Sequence, residues 1–231
     1  MKFNLFFLSL FVLLGCTKDV EKTMILTPET TEKPVLTYLA LGDSYTIGES
    51  VTQSESFPYQ FAVQLKLQGL NMSSPKIIAK TGWTTDELQV AIQAENLTQK
   101  FDFVTLLIGV NNQYRGYSKV TYRKEFKELL QTAIGFASGN KKRVFVVSIP
   151  DWGVTPFGLS SGKTTKSIAE EIDAFNAINK EETLAMEVSY TDITPNSRKA
   201  ATDLSLVAKD GLHYSGKMHL QWALGIPLSK Y

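Results

Sequence analysis

The chain has 231 residues, of which 43% are hydrophobic and 20% are charged, a length and composition that suit one domain with a sizeable core. Its 24 Lys and Arg residues nearly balance 23 Asp and Glu residues and form no basic stripe, which argues against nucleic acid as a partner. The single cysteine excludes an intramolecular disulfide and a cysteine-rich metal site.

The first sixteen residues, MKFNLFFLSLFVLLGC, carry one lysine and then an apolar stretch of the length of a signal peptide. This stretch is shorter than the roughly 20 residues of a membrane-spanning helix. Its end, Leu-Leu-Gly-Cys, resembles a bacterial lipobox, which implies cleavage before Cys16 and attachment of lipid to Cys16. We therefore expect residues 1–15 to be a lipoprotein signal peptide and the mature protein to be lipid-anchored to a membrane of the bacterial cell envelope. The alternative is an ordinary buried cysteine at the start of a helix.

The rest of the chain is predicted to be a short tether followed by one domain. Residues 16–34 are rich in Thr, Glu and Lys and lack apolar periodicity, as expected of the lipidated cysteine and a flexible tether. Residues 35–231 are expected to form the folded domain. Apolar runs in it predict five strands, at 35–41, 77–79, 103–108, 144–149 and 188–190. Amphipathic stretches predict helices at 57–70, 84–97, 122–137, 166–185 and 216–224.

This alternation of strand and helix predicts a three-layer α/β/α sandwich with a central parallel sheet of about five strands. In such sheets, ligands bind at the carboxyl ends of the strands. Ser44 directly follows the first strand, within LALGDSYTIGES, and its hydroxyl is a candidate nucleophile. A serine at this position also caps helices, and both interpretations remain open for Ser44 alone.

A nucleophilic serine needs a base, and the chain has two histidines. His213 lies in a polar loop before the last predicted helix, whereas His219 lies within that helix and is expected to be a helix-surface or packed histidine. Asp210 precedes His213 by three residues, so its carboxylate is placed to orient the imidazole. For the negative charge that develops on an ester oxygen, Gly82 and Asn111 follow the second and third strands as candidate donors. Turn geometry alone is the alternative role for both residues.

In chain order, the segments GDSY, Gly82, GVNN and DGLH resemble the four blocks of the SGNH (GDSL-type) hydrolase family. The resemblance covers the chain from Val35 onward and implies a flavodoxin-like SGNH hydrolase fold. It also implies that Ser44 is the nucleophile, His213 the general base and Asp210 its orienting acid. The implied oxyanion donors are the N–H groups of Ser44 and Gly82 and the amide of Asn111.

One position departs from the family pattern, since the third block usually reads Gly-x-Asn-Asp and this chain has Asn112 in place of the Asp. The departure leaves the hydrogen bonds of that loop open. The family assigns Asp43 to the shape of its loop rather than to the chemistry.

Residues 151–164 are predicted to form a long loop over the cleft, with Asp151, Trp152 and Phe157 available to shape the substrate site. The Gly162-Lys163-Thr164 run lacks the glycine spacing of a phosphate-binding loop. Trp83, beside Gly82, is expected to serve in packing, with a place in the substrate pocket as the alternative.

Together these features predict a serine-dependent ester hydrolase that works through an acyl-enzyme. No motif for a metal or a dinucleotide is present, so no cofactor is expected. The expected substrates are O-acetylated glycans or short acyl esters at the cell surface. An acyltransferase of the same fold, or a catalytically silent lipoprotein that binds glycan, remains an alternative.

Overall fold

The structure is a computed structural model that describes Met1 and residues 33–228. The predicted signal peptide, the lipidation site Cys16 and residues 229–231 lie outside the described residues. The folded unit begins at Lys33. In the described part of this unit, five strands and nine α-helices alternate as follows: β1 Tyr38–Gly42, α1 Ser44–Ile47, α2 Phe57–Leu67, β2 Lys76–Ala79, α3 Thr85–Glu95, β3 Phe103–Leu107, α4 Val110–Tyr114, α5 Lys119–Phe136, β4 Val144–Val147, α6 Pro156–Ser160, α7 Thr165–Ala185, β5 Ser189–Thr191, α8 Thr194–Ser197 and α9 Gly216–Gly225.

The five strands form one parallel sheet in the order β2-β1-β3-β4-β5, which confirms the predicted sheet. The chain moves outward from β1 to β2 and then returns to place β3 on the other side of β1. The carboxyl ends of β1 and β3 therefore flank the point where the strand order reverses, and ligands bind at such points in open α/β sheets.

Helices cover both faces of the sheet. Helices α3, α5 and α7 form one layer, and α2 packs against α9 in the other. Because crossover connections are right-handed, reversing direction after β2 carries the connecting helix to the opposite face. Strands β1, β3 and β4 are consequently buried along their whole length, which explains their continuous apolar sequences.

The main difference from the sequence-based expectation is the segment 151–164, which is not a long irregular loop. It contains a 3₁₀ turn, Trp152–Val154, followed by α6. The Asp151 carboxylate accepts a hydrogen bond from the Gly153 N–H at 2.9 Å, and the Thr155 hydroxyl accepts one from the Gly158 N–H at 3.1 Å. A capping Thr before Pro156 is a helix-start signal, but one turn of helix is too short to show apolar periodicity.

Candidate active site

The nucleophile candidate Ser44 begins α1 immediately after β1. A side chain at Gly42 would collide with the carbonyl of Leu107 in β3, so only glycine lets the chain turn this closely against the sheet. Asp43 caps α1, because its Oδ1 accepts a hydrogen bond from the Tyr45 N–H at 3.0 Å. The capping role left open for Ser44 therefore belongs to Asp43. Within residues 33–228, no hydrogen bond engages the Ser44 hydroxyl.

Asp210 and His213 form the predicted pair in the loop before α9. The Asp210 Oδ2 lies 2.6 Å from the His213 Nδ1, and Oδ1 accepts the backbone N–H groups of Leu212 and His213 at 3.0 Å each. The Ser50 hydroxyl donates to Oδ2 at 2.7 Å. Partial burial opposes ionisation, but hydrogen bonds from the His213 side chain, Leu212, Ser50 and the His213 backbone hold the pKa of Asp210 well below its usual range.

The ionised Asp210 determines which nitrogen of His213 is available for chemistry. A carboxylate only accepts hydrogen bonds, so the His213 Nδ1 carries the hydrogen that lies between them. The lone pair of neutral His213 is then on Nε2, the nitrogen that acts as a base in this arrangement. His213 is largely buried, with 8% of its surface exposed.

One cavity of about 270 Å³ brings together four of the five predicted catalytic residues, namely Ser44, Gly82, Asn111 and His213. Asp210 lies behind His213, outside the cavity wall. Ser44 and His213 line the same cavity without a direct hydrogen bond among the contacts of the described chain. Such bonds are often long in ligand-free sites and shorten when substrate binds.

The candidate oxyanion donors surround this cavity. Gly82 has φ +87°, a conformation that glycine adopts readily. Its carbonyl accepts a hydrogen bond from Arg115 at 2.6 Å, and the Asn111 amide donates to the carbonyl of Trp83 at 2.9 Å. In the part of the chain that the structure describes, no backbone hydrogen bond uses the N–H of Ser44 or of Gly82. Both N–H groups are therefore available to an oxygen of a ligand.

The family departure at Asn112 has a structural explanation. Asn112 is fully buried, its Oδ1 accepts the Thr85 N–H at 3.1 Å and its Nδ2 donates to the Thr85 hydroxyl at 2.7 Å. Asn112 thus joins α4, which carries Asn111, to the first residue of α3. The Asn112 amide pairs with both the backbone N–H and the hydroxyl oxygen of Thr85. Asn111 and the Gly82 turn are therefore held together without an aspartate at this position.

The cavity also contains residues that the sequence analysis did not single out. Tyr45, Val110 and Leu212 neighbour motif residues in the chain, and Thr81 precedes Gly82. Tyr114 follows Asn111 by three residues, so helical spacing would have placed both on one side of α4. Ser50, the hydroxyl donor to Asp210, has φ +66° and no sequence signal.

Two of the three residues predicted to shape the substrate site line the cavity, and one does not. Trp152 and Phe157 line the cavity, whereas Asp151 is fully buried and forms an ion pair with Arg198 at 2.8 Å. The prediction that Asp151 shapes the substrate site directly is therefore wrong, because its carboxylate instead holds the 151–155 segment in place. Trp83 packs against the core, as expected.

The second histidine, expected on the helix surface or packed, is packed. His219 is fully buried in α9, and its Nδ1 accepts a hydrogen bond from the Phe57 N–H at 2.9 Å. Burial, assisted by the proximity of His213, lowers the pKa of His219 to about 3. His219 is therefore neutral at physiological pH.

Asp43, which directly precedes the nucleophile candidate Ser44 in the chain, has a buried carboxyl group. It is fully buried, and its Oδ2 lacks a hydrogen-bond partner in the described structure. Burial outweighs the hydrogen bond from Tyr45 and raises the pKa of Asp43 to about 7. Its ionisation consequently falls near neutral pH.

Two features are absent from residues 33–228. These residues contain no group of three His, Cys, Asp or Glu side chains placed to hold a metal ion. None of their helices is long and apolar enough to cross a membrane.

Comparison with solved structures identifies the fold. A lipase from a goat rumen metagenome, Lip_vut3, has a TM-score of 0.65 and 18% identity, and the match covers 82% of this chain and 95% of the lipase chain. A lipase/acylhydrolase from Enterococcus faecalis has a TM-score of 0.60 and 17% identity, over 82% and 92% of the two chains. A catalytic variant of Axe2, an acetylxylan esterase from Geobacillus stearothermophilus, has a TM-score of 0.63 and 15% identity, over 82% and 91%. At these identities the likeness shows the fold.

No curated protein sequence matches the chain. Residues 40–220, however, match the sequence profile of the GDSL-like lipase/acylhydrolase family. The match begins within β1 and ends within α9, and it spans every predicted catalytic residue. The chain therefore belongs to the GDSL-like lipase/acylhydrolase family and is a carboxylic ester hydrolase.

Proposed function

We propose that the protein hydrolyses esters through an acyl-enzyme formed on Ser44. The observation that carries this proposal is the Asp210–His213 pair at 2.6 Å beside the cavity that Ser44 shares with two free backbone N–H groups. His213 Nε2 removes the proton of the Ser44 hydroxyl as the oxygen attacks the ester carbonyl. Asp210 stabilises the imidazolium that results.

The charge of the tetrahedral intermediate falls on the former carbonyl oxygen. The N–H groups of Ser44 and Gly82 and the amide of Asn111 supply the donors for this oxygen. The His213 imidazolium then gives its proton to the departing alcohol. Water, activated by neutral His213, attacks the acyl-enzyme and releases the acid, and the proton returns to Ser44.

The proposed substrates are O-acetylated glycans or other short acyl esters. The cavity of about 270 Å³ is lined mostly by bulky side chains, which favours a short acyl group. The structural likeness to an acetylxylan esterase supports an acetyl ester of a glycan. We further propose that lipid on Cys16 anchors the enzyme in the bacterial cell envelope.

The test of the mechanism is release of p-nitrophenol from p-nitrophenyl acetate. Ser44→Ala should abolish turnover above background, because no other hydroxyl occupies its position in the cavity among the described residues. Ser54→Ala, an exposed serine outside the cavity, is the matched control and should keep full activity. Equal rates for wild type and Ser44→Ala would indicate a silent binding protein. Transfer of acetyl to added methanol in preference to water would indicate an acyltransferase.

The test of the anchor is Cys16→Ser expressed in a bacterial host. The wild-type protein should incorporate labelled fatty acid and fractionate with membranes, whereas Cys16→Ser should do neither and should keep its esterase activity. Acyl labelling of the Cys16→Ser protein would contradict the assignment.

A further inference from the structure

A second cavity adjoins the active site. It has a volume of about 400 Å³ and is lined by Tyr114, Trp152, Phe157, Ser161 and Lys163. We call it the outer cleft. Its three aromatic residues also line the cavity that contains Ser44, so the two spaces are adjacent and share a wall. The outer cleft is therefore the space next to an ester whose acyl group lies at Ser44.

The aromatic wall of the outer cleft is held in a fixed position. Trp152 is 2% exposed, and its indole N–H donates to the side-chain oxygen of Gln113 at 2.8 Å. The rings of Tyr114 and Phe157 lie against Trp152, with centroid distances of 5.4 Å and 6.0 Å. Tyr114 is 52% exposed and Phe157 is 39% exposed. These two large rings thus offer accessible surface to a ligand.

The polar side of the outer cleft is formed by Ser161 and Lys163, and the positive charge of Lys163 is balanced by Glu171. Lys163 Nζ lies 3.4 Å from Glu171 Oε2, and the same oxygen accepts a hydrogen bond from the Gln113 amide at 2.6 Å. An anionic ligand would lie close to Glu171, and a long acyl chain would remove water from the ion pair without replacing its hydrogen bonds. A neutral molecule with several hydroxyl groups suits both the aromatic wall and the polar side of the outer cleft. Its C–H faces pack on the aromatic rings, and its hydroxyls form hydrogen bonds at the polar side.

The outer cleft adjoins the loop that carries the general base His213. The Phe157 N–H donates to the carbonyl of Gly211 at 2.9 Å, which joins α6 to the loop that carries His213. His213 protonates the departing oxygen in the proposed mechanism. We infer that the outer cleft is the subsite for the alcohol part of the ester and that it takes a neutral pyranose ring. This inference rests on the proposed function.

The first test compares two acetyl esters, an acetylated methyl pyranoside and ethyl acetate. Wild type should favour the pyranoside ester in kcat/KM by about tenfold or more, and Tyr114→Ala should lower this ratio by about tenfold, the scale of one aromatic contact. Lys163→Met should also lower the ratio. Lys166→Met, an exposed lysine outside the outer cleft, is the matched control and should leave the ratio unchanged.

The second test measures binding without turnover. Ser44→Ala protein should bind methyl xylopyranoside with a change in tryptophan fluorescence, and Tyr114→Ala in the same background should remove this change. If the pyranoside binds but wild type hydrolyses neither ester, the proposed function fails, whereas binding of a pyranose ring in the outer cleft stands. Absence of binding together with no preference for the pyranoside ester would overturn the inference. A preference for hexanoate over acetate esters would assign the outer cleft to the acyl chain and would also overturn it.

Discussion

Asn111→Ala tests whether the amide of this residue stabilises the oxyanion. One hydrogen of the Asn111 amide bonds the carbonyl of Trp83 at 2.9 Å, and the residue lines the cavity beside Ser44. Loss of one oxyanion donor typically lowers kcat by about 10²–10³, which corresponds to about 3–4 kcal/mol. The donor acts on charge that develops in the transition state, so KM should change by less than about threefold.

The substitution also removes the bond to Trp83, and this loss sets its expected effect on stability. A neutral hydrogen bond contributes about 1 kcal/mol to the free energy of unfolding. The effect on kcat should therefore exceed the effect on folding, which denaturant unfolding measures separately. Asn111→Asp is the matched variant, because it keeps the size of the side chain but an ionised carboxylate donates no hydrogen bond.

The assay is the steady-state hydrolysis of p-nitrophenyl acetate by purified, folded protein. Both variants should show the loss in kcat, and Asn111→Asp should not recover it. A kcat for Asn111→Ala within about threefold of wild type, with folding intact, would refute the assignment and leave the oxyanion to the two backbone N–H groups.

Three further predictions follow from the residues around the site. Burial raises the pKa of Asp43 to about 7, above its ordinary 3.8, so folded protein should be most stable below pH 4 with respect to this group and should lose up to about 4 kcal/mol as pH rises to 7. Asp43→Asn keeps a capping oxygen and should remove this loss. The measurement is the difference in unfolding free energy between variant and wild type at pH 5 and at pH 8, and an equal difference at both pH values would contradict the prediction. Ser50→Ala should lower kcat by about tenfold, because Asp210 loses a charge-assisted hydrogen bond. Ser50→Gly is the control, because it loses the same hydrogen bond but relieves the positive φ, and it should show the same loss in kcat. A normal kcat for Ser50→Gly would instead trace the loss in Ser50→Ala to backbone strain. Arg115→Met should lower kcat by up to about tenfold with little change in KM, because the carbonyl of Gly82 loses its guanidinium partner, and unchanged kcat would show that the turn holds its shape alone.

The strands and long helices were predictable because their apolar patterns are long. The predicted run at 103–108 corresponds to β3, and the helix predicted at 84–97 corresponds to α3, which begins with a capping box of Thr84 and Glu87. The one-turn helices α1, α4, α6 and α8 were not predicted, since four or five residues show no period. The side chains that cap α1 and α6, Asp43 and Thr155, are visible only as single residues in the sequence.

The hydrogen bond between Asp210 and His213 was predictable because the two residues are close in the chain. Contacts between residues that are distant in the sequence were not predictable, since nothing in the local pattern near Ser50 or Gln113 indicates a partner. Ser50 reaches Asp210 across 160 positions, and Gln113 bonds Trp152 across 39. Only the packing of their elements brings these side chains together.

The sequence by itself determined the parallel sheet, the strand ends that carry the chemistry and the residues of the four motifs, because these depend on local periodicity and on residue type. The tertiary structure decided which N–H groups stay free, that Asp43 rather than Ser44 caps α1, and that Asp151 faces Arg198 instead of the cavity. It also decided that a second, aromatic cavity adjoins the first. Burial and the pairing of polar groups depend on what packs around each atom, and that surrounding comes from all parts of the chain at once.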